Sequence, residues 1–239
     1  MSQENNHASL LSSMKICGVI PAYNSDSTIA RVVEGTQRHV GHVIVIDDGS
    51  TDKTAQRAED AGAHVLKVLN NRGKGNALRI GFRYALANNF NAIITLDADL
   101  QHDPSEIPKF IQHYLVNKSI MVIGNRLCRR ENIPRIRYVP NKIGTYCFSW
   151  LIDQPVQDSQ CGFRLYDRKV MKNIFILNNG FEAESDVLLR AGKRGYKISF
   201  IPIKPIYFAD IGQRSFYRPI YDTFRICIIF LRNLFWKNR

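Results

Sequence analysis

Cysteine is scarce and unpatterned in this 239-residue chain: five residues, at 17, 128, 147, 161 and 227, with no Cys-x-x-Cys pair. An odd, scattered set argues against a disulfide framework or a structural zinc site and fits a reducing compartment. No apolar run approaches the ~20 residues needed to cross a bilayer. The opening "MSQENNHASLLSS" lacks both the basic start and the apolar core of a signal peptide, so residues 1–13 read as a floppy leader. No internal repeat, low-complexity tract or Pro/Ser/Gly linker marks a second domain. Acidic residues are in the minority, 21 against 33 basic ones, for a net charge of +12. That excess points to an anionic partner: nucleic acid, a phosphorylated substrate or an acidic membrane surface.

What is present alternates between strand and helix patterns. "KICGVIPAY", "HVIVIDDGS", "AHVLKVL", "AIITLDADL" and "SIMVIG" read as buried strands. Helical spacing falls between them, over 26–38, 51–61 (with Ser50 or Thr51 as N-cap), 75–88 and 105–117. The order predicts one α/β domain with a doubly wound, mostly parallel sheet and helices on both faces.

Two acidic clusters end strands, Asp47-Asp48 and Asp97-x-Asp99. In open α/β sheets ligands bind at the carboxyl ends of the strands. Alternation puts Asp97 and Asp99 on one side, where two carboxylates repel unless a cation lies between them. Hard divalent ions take such oxygens together with substrate phosphates, so the pair predicts a metal site that holds a diphosphate. His102 reads as an exposed turn residue, and Asp103-Pro104 as a helix start. "NRGKGNALRIG" does not have the spacing of a phosphate loop or a dinucleotide fingerprint, which argues against NTPase and dehydrogenase functions.

The ordered blocks "VIPAYNSDSTI", "VIDDGSTDKT", "NRGKGNALRIG", "LDADLQHDP", "IGNRL" and "DSQCGFRLY" resemble glycosyltransferase family 2, in particular its polyprenyl-phosphate glycosyltransferases. The resemblance covers roughly residues 15–207. It implies a GT-A fold over 14–210, inverting transfer from a UDP- or GDP-linked sugar, and Mg²⁺ or Mn²⁺ as cofactor. It further implies that Pro21, Ala22, Tyr23, Asn24, Asp48, Gly73 and Lys74 bind the nucleotide, and that Asp97, Asp99 and Gln101 hold the metal. Asp26 stands where the family often has Glu. Asp48 is the expected contact to base or ribose, and Lys74 offers phosphate a point charge.

On the acceptor side the resemblance assigns Arg126, Arg164 and Thr145 to a lipid phosphate; Asn141 stands where the family can carry Arg. "RRENIPRIR" adds Arg129, Arg130, Arg135 and Arg137, which otherwise face solvent or headgroups. A phosphate monoester is already ionised at neutral pH and needs no general base. Were the acceptor a glycan or glycolipid hydroxyl, Asp158 is the candidate base. The Gln-x-x-Arg-Trp element of processive polysaccharide synthases is absent. A non-catalytic nucleotide-sugar-binding or membrane-scaffold protein is the rival from another class, and the intact Asp97/Asp99 pair argues against it. No nucleic-acid motif accompanies the positive charge.

Residues 211–239 read as an amphipathic tail. Arg225, Arg232 and Arg239 recur every seven residues among Phe224, Ile228, Ile229, Phe230, Leu231, Leu234, Phe235 and Trp236. Such a helix suits the membrane interface, and the expected location is peripheral, on the cytoplasmic face. A helix packed on the domain or in a dimer seam is the alternative. Just before it, Ser215-Phe216 stands where relatives carry Ser-Lys, so Arg214 or Arg218 is the expected source of charge.

Overall fold

The computed structural model describes residues 14–128, 135–204, 206 and 219–234, of which 135–140 and 219–223 as backbone only. The expected leader, Arg129, Arg130, Arg214, Ser215, Phe216, Arg218, Phe235, Trp236 and Arg239 lie outside the described residues, as do the side chains of Arg135 and Arg137.

Valine- and isoleucine-rich runs form β1 (Ile16–Ala22), β2 (His42–Asp47), β3 (His64–Lys67) and β4 (Ala92–Thr95). α1 (Ile29–Gln37), α2 (Thr54–Asp60) and α3 (Lys74–Ala87) connect them. β2 and β4 are buried along nearly their whole length, as strands covered on both faces must be, whereas β3 at the edge exposes His64 and Lys67. α2 starts later than expected. Neither Ser50 nor Thr51 caps it; instead Asp52 accepts from the Thr54 amide at 2.9 Å. A single 3₁₀ turn at Pro104–Glu106, opened by Asp103 as read from the sequence, leads into α4 (Ile107–Asn117).

The second half contains β5 (Met121–Asn125), α5 (Arg135–Ile152), β6 (Arg164–Asp167), α6 (Arg168–Asn173), α7 (Glu182–Lys193), β7 (Ile198–Pro202) and α8 (Pro219–Leu234). The seven strands run in the order β3-β2-β1-β4-β6-β5-β7. All pairings are parallel except those of β6, which lies antiparallel between β4 and β5. The sheet is therefore mixed, and β6 was missing from the sequence reading because two of its four residues, Arg164 and Asp167, are charged. β1 pairs with both β2 and β4, so the carboxyl ends of these three strands converge at a switch point.

α8 packs on α7 and α5. Ile226 and Ile229 are buried, and Phe230 stacks on Phe148 of α5 with ring centroids 6.3 Å apart. Its arginines pair with acids of the domain. Arg225 pairs with Glu182 at 2.5 Å and Arg232 with Asp186 at 3.3 Å, both acids lying on α7. Phe224, Ile228 and Leu231 remain exposed, as do Ile143, Tyr146 and Trp150 on α5.

Candidate functional site

The loops after β1 and β2 are joined to each other. Asn24, with φ at +46°, donates its amide to the Ser50 hydroxyl oxygen (2.9 Å), and its side-chain oxygen accepts from the Thr51 amide (2.9 Å). The Asp48 amide donates to Ala22 O at 2.9 Å. Pro21 and Tyr23 are half-buried beside this seam. Asp47 accepts from the Ser50 amide and caps the turn. Asp48 is buried and accepts from the amides of Arg72 (3.1 Å) and Gly73 (2.6 Å). Burial raises its proton affinity beyond what these amides lower it. In this structure the carboxylate anchors the 72–73 loop.

That loop delivers Lys74. Gly73 adopts φ +94°, and a Cβ on it would stand 2.4 Å from Asn179 O, so no other residue fits there without displacing backbone. The Gly75 amide donates to Asn179 O at 2.7 Å, pressing the first turn of α3 against the chain that enters α7. The Lys74 ammonium consequently points inward. It contacts Asp97 Oδ1, lies 3.1 Å from Glu184 Oε2, and sits 5.8 Å from the Phe181 ring centroid. The expected free point charge for phosphate is, in this structure, shared by two carboxylates.

Asp97 and Asp99 follow β4, where the Thr95 hydroxyl holds Gly162 O at 2.9 Å. Leu100 turns the chain at φ +62°, and the Gln101 amide donates to Asp99 Oδ1 at 3.0 Å. Gln101 itself is half-buried, its carbonyl accepting from the Ile206 amide. The turn carries His102 underneath Asp97, with Nε2 at 3.3 Å from Oδ2. His102 is only 2% exposed, which corrects the reading of an exposed turn residue. Burial works against charge on Asp97, yet Lys74 and His102 overcome it and hold the carboxyl far below the usual range. Asp99 moves the other way, pushed up by burial and by the charge on Asp97.

Those two carboxylates fit a hard divalent cation: both donors are oxygen, and the repulsion that raises Asp99 is what such an ion relieves. Among the described residues no cluster of three His, Cys, Asp or Glu side chains is positioned to hold a metal. The donor set therefore suits an ion completed by substrate oxygens.

On the far side of loop 158–163, Arg126 grips Asp158 through two parallel bonds, Nε to Oδ2 at 2.8 Å and Nη2 to Oδ1 at 3.0 Å. Asn141 Nδ2 (2.9 Å) and the Gln160 amide (3.1 Å) also donate to Oδ1. Asp158 is fully buried; burial would raise its proton affinity, but Arg126 prevails and holds it below the usual carboxylate range. Tethered in this way, Asp158 commits its oxygens to Arg126, Asn141 and the Gln160 amide. Two residues expected on the acceptor side are both buried. Arg164 donates to the carbonyls of Cys161 (2.5 Å), Glu184 (2.7 Å) and Ser159 (2.9 Å), tying the loop to α7. Thr145 is buried, with its hydroxyl donating to Lys142 O at 2.7 Å, along an open cleft of about 400 Å³ lined also by Tyr146 and Ser149.

Glu184 and His102 are the site residues that sequence reasoning missed. Glu184 reads as one of three acids at the solvated start of a helix, and nothing local discloses a lysine 110 residues away.

The family model described as Glycosyl transferase family 2 matches residues 17–175. The chain is 29% identical to UDP-N-acetylglucosamine–dolichyl-phosphate N-acetylglucosaminyltransferase of Methanococcus voltae, over 84% of this chain and 92% of that protein. It is 27% identical to undecaprenyl-phosphate mannosyltransferase of Micrococcus luteus, over 80% and 83% respectively. Among solved structures, glucosyl-3-phosphoglycerate synthase of Mycobacterium tuberculosis in complex with Mn²⁺, UDP and phosphoglyceric acid matches with a TM-score of 0.74 at 20% identity, covering 95% of this chain and 81% of that one.

Proposed function

The chain belongs to glycosyltransferase family 2, and on that premise we propose that it moves a sugar, with inversion, from a UDP- or GDP-linked donor to a polyprenyl phosphate at a membrane surface. Its α/β sheet is of the GT-A form. In this reading residues 14–210 are the catalytic domain and 211–239 the membrane-interface segment. The loops carrying Pro21, Ala22, Tyr23, Asn24 and Gly73 frame the nucleotide, with Asp48 holding the last of them in place.

Asp97 and Asp99, with Gln101 beside them, are the residues to hold Mg²⁺ or Mn²⁺. That ion, when bound, neutralises charge on the departing diphosphate. The Mycobacterium tuberculosis neighbour was solved with Mn²⁺ and UDP. Both relatives named above are transferases to a polyprenyl phosphate by name.

Asp158 is the observation that carries the choice of acceptor. A hydroxyl acceptor needs a base within hydrogen-bond reach, whereas a phosphate monoester, with a second pKa near 6, arrives already nucleophilic. The candidate base is clamped by Arg126, Asn141 and a backbone amide, so the phosphate acceptor is the reading that these residues support. Arg126, oriented by Asp158, is the residue to meet that phosphate. Catalysis then reduces to positioning and charge stabilisation.

The membrane part rests on exposed apolar side chains of α5 and α8. No helix among the described residues is long and apolar enough to cross a membrane. The test is to incubate the full-length protein with polyprenyl phosphate and a panel of labelled UDP- and GDP-sugars. Label is expected in a mild-acid-labile lipid. Label that appears only in a glycan, or only as free sugar, would overturn the assignment.

A further inference from the structure

Lys74 stands where a cation is expected, against the carboxylate that the reading above gives to the metal. We propose that Glu184 positions Lys74 as an exchangeable counter-ion of Asp97: the ammonium holds Asp97 while no metal is bound and withdraws to Glu184 when one arrives. The inference rests on that donor-site reading and adds to it a residue, Glu184, with a stated role.

Three features of the site support it. First, the two cations compete. An ammonium touching Asp97 Oδ1 and a divalent ion ligated by that same oxygen would repel as like charges at close range, so binding of one disfavours the other. Second, the ammonium has a place to go. Glu184 is buried, one of its oxygens already lies 3.1 Å from Lys74, and the other, Oε1, is buried without a hydrogen-bond partner among the described residues. A buried carboxylate with a spare acceptor oxygen gains from taking more of the ammonium. Third, the frame is rigid while the side chain is not. Gly73 and Gly75 fix the base of Lys74 against the chain at 178–179, close to the start of α7 that carries Glu184. A flexible four-carbon stem spans the gap. Gly162 keeps the contact clear, since a Cβ there would lie 2.7 Å from Lys74 Nζ and 2.5 Å from Asp97 Oδ2.

The experiment measures binding of Mn²⁺ alone, without nucleotide, by electron paramagnetic resonance of the free ion. It compares the full-length protein with Lys74→Met, Glu184→Gln and the double variant, each checked by thermal melting. Lys74→Met is expected to tighten Mn²⁺ binding by at least about tenfold, which corresponds to about 1.4 kcal/mol. Glu184→Gln is expected to weaken it, because Lys74 then has only Asp97, and this loss should shrink once Lys74 is also absent. If Lys74→Met proves too unstable, the double variant against Glu184→Gln gives the same comparison with no buried charge left alone. Unchanged or weaker binding on removing Lys74, or an equal effect of Glu184→Gln in both backgrounds, overturns the proposal. Asp97→Asn separates the two readings. If it binds Mn²⁺ like the parent protein, the metal assignment itself fails; if it loses Mn²⁺ while removing Lys74 tightens nothing, only the exchange fails.

Discussion

Asp97 and Asp99 are chemically identical and separated by a single residue, yet the fold drives their proton affinities in opposite directions: Lys74 and His102 prevail over burial at Asp97, whereas at Asp99 burial and the charge on Asp97 prevail. Replacing either by Asn removes an anionic oxygen from the proposed ion. Transfer is expected to fall at least about a hundredfold in both variants, roughly 2.7 kcal/mol of barrier, with the circular dichroism spectrum unchanged. A variant retaining parent turnover would show that its carboxylate holds no essential cation. Asp158 behaves differently. Its folded pKa is depressed, so its pairing with Arg126 contributes stability above the unfolded value near 4 and loses it as pH falls through the lower folded value. Asp158→Asn should therefore lower the melting temperature at pH 7 and flatten the loss of stability on acidification. It should raise KM for the acceptor through a loosened Arg126 and leave the shape of the pH–rate profile alone. Disappearance of a limb of that profile would identify Asp158 as the base after all. The Asp-x-Asp pair was legible because its meaning is local: two carboxylates at a strand end. The partners that set its charge state were not, since Lys74 and Glu184 reach it only through the folded sheet.

At the scale of elements, the parallel strands β1 to β5 announced themselves as apolar runs, while β6 did not, because its buried Arg164 is satisfied by carbonyls that only tertiary structure supplies. α7 misleads in the same way. Glu182, Glu184 and Asp186 look like a solvated helix start, and all three are buried against cations. α8 is thereby attached to α7 by charge as well as by Ile226 and Ile229, so its arginines have a structural task. Arg225→Ala leaves Glu182 buried with its carboxylate uncompensated. Because Arg225 is itself about a third exposed, the cost lies between that of a surface pair and a buried one, about 1–3 kcal/mol. Urea unfolding should report it as a lower midpoint at unchanged slope. An unaltered midpoint would mean that the pair contributes nothing to the docking of α8.

For the whole molecule, the net charge of +12 and the exposed apolar side chains point toward the same kind of surface. The sequence reading placed the amphipathic tail at the membrane interface as a whole, and the fold pairs Arg225 and Arg232 with acids of α7. The apolar residues that α8 leaves outward include Phe224, Ile228 and Leu231, at 63%, 47% and 54% exposure, while α5 adds Tyr146 and Trp150 at 80% and 68%. On the membrane-surface reading proposed above, affinity is expected to be mainly hydrophobic, with the remaining basic residues adding roughly 1 kcal/mol each near an anionic leaflet. Fully burying a side chain such as Leu or Phe is worth about 1.5–3 kcal/mol, so changing Phe224 and Leu231 together to Ser should weaken vesicle binding at least tenfold. Arg225→Ala and Arg232→Ala should leave vesicle binding nearly intact while lowering stability. High salt should remove only part of the bound protein. Co-sedimentation with phosphatidylglycerol-containing vesicles separates the two accounts. If Arg232→Ala abolishes binding and the Phe224/Leu231 double variant does not, the arginines leave α7 to meet the membrane, and the α7–α8 ion pairs are the resting state of a helix that swings out.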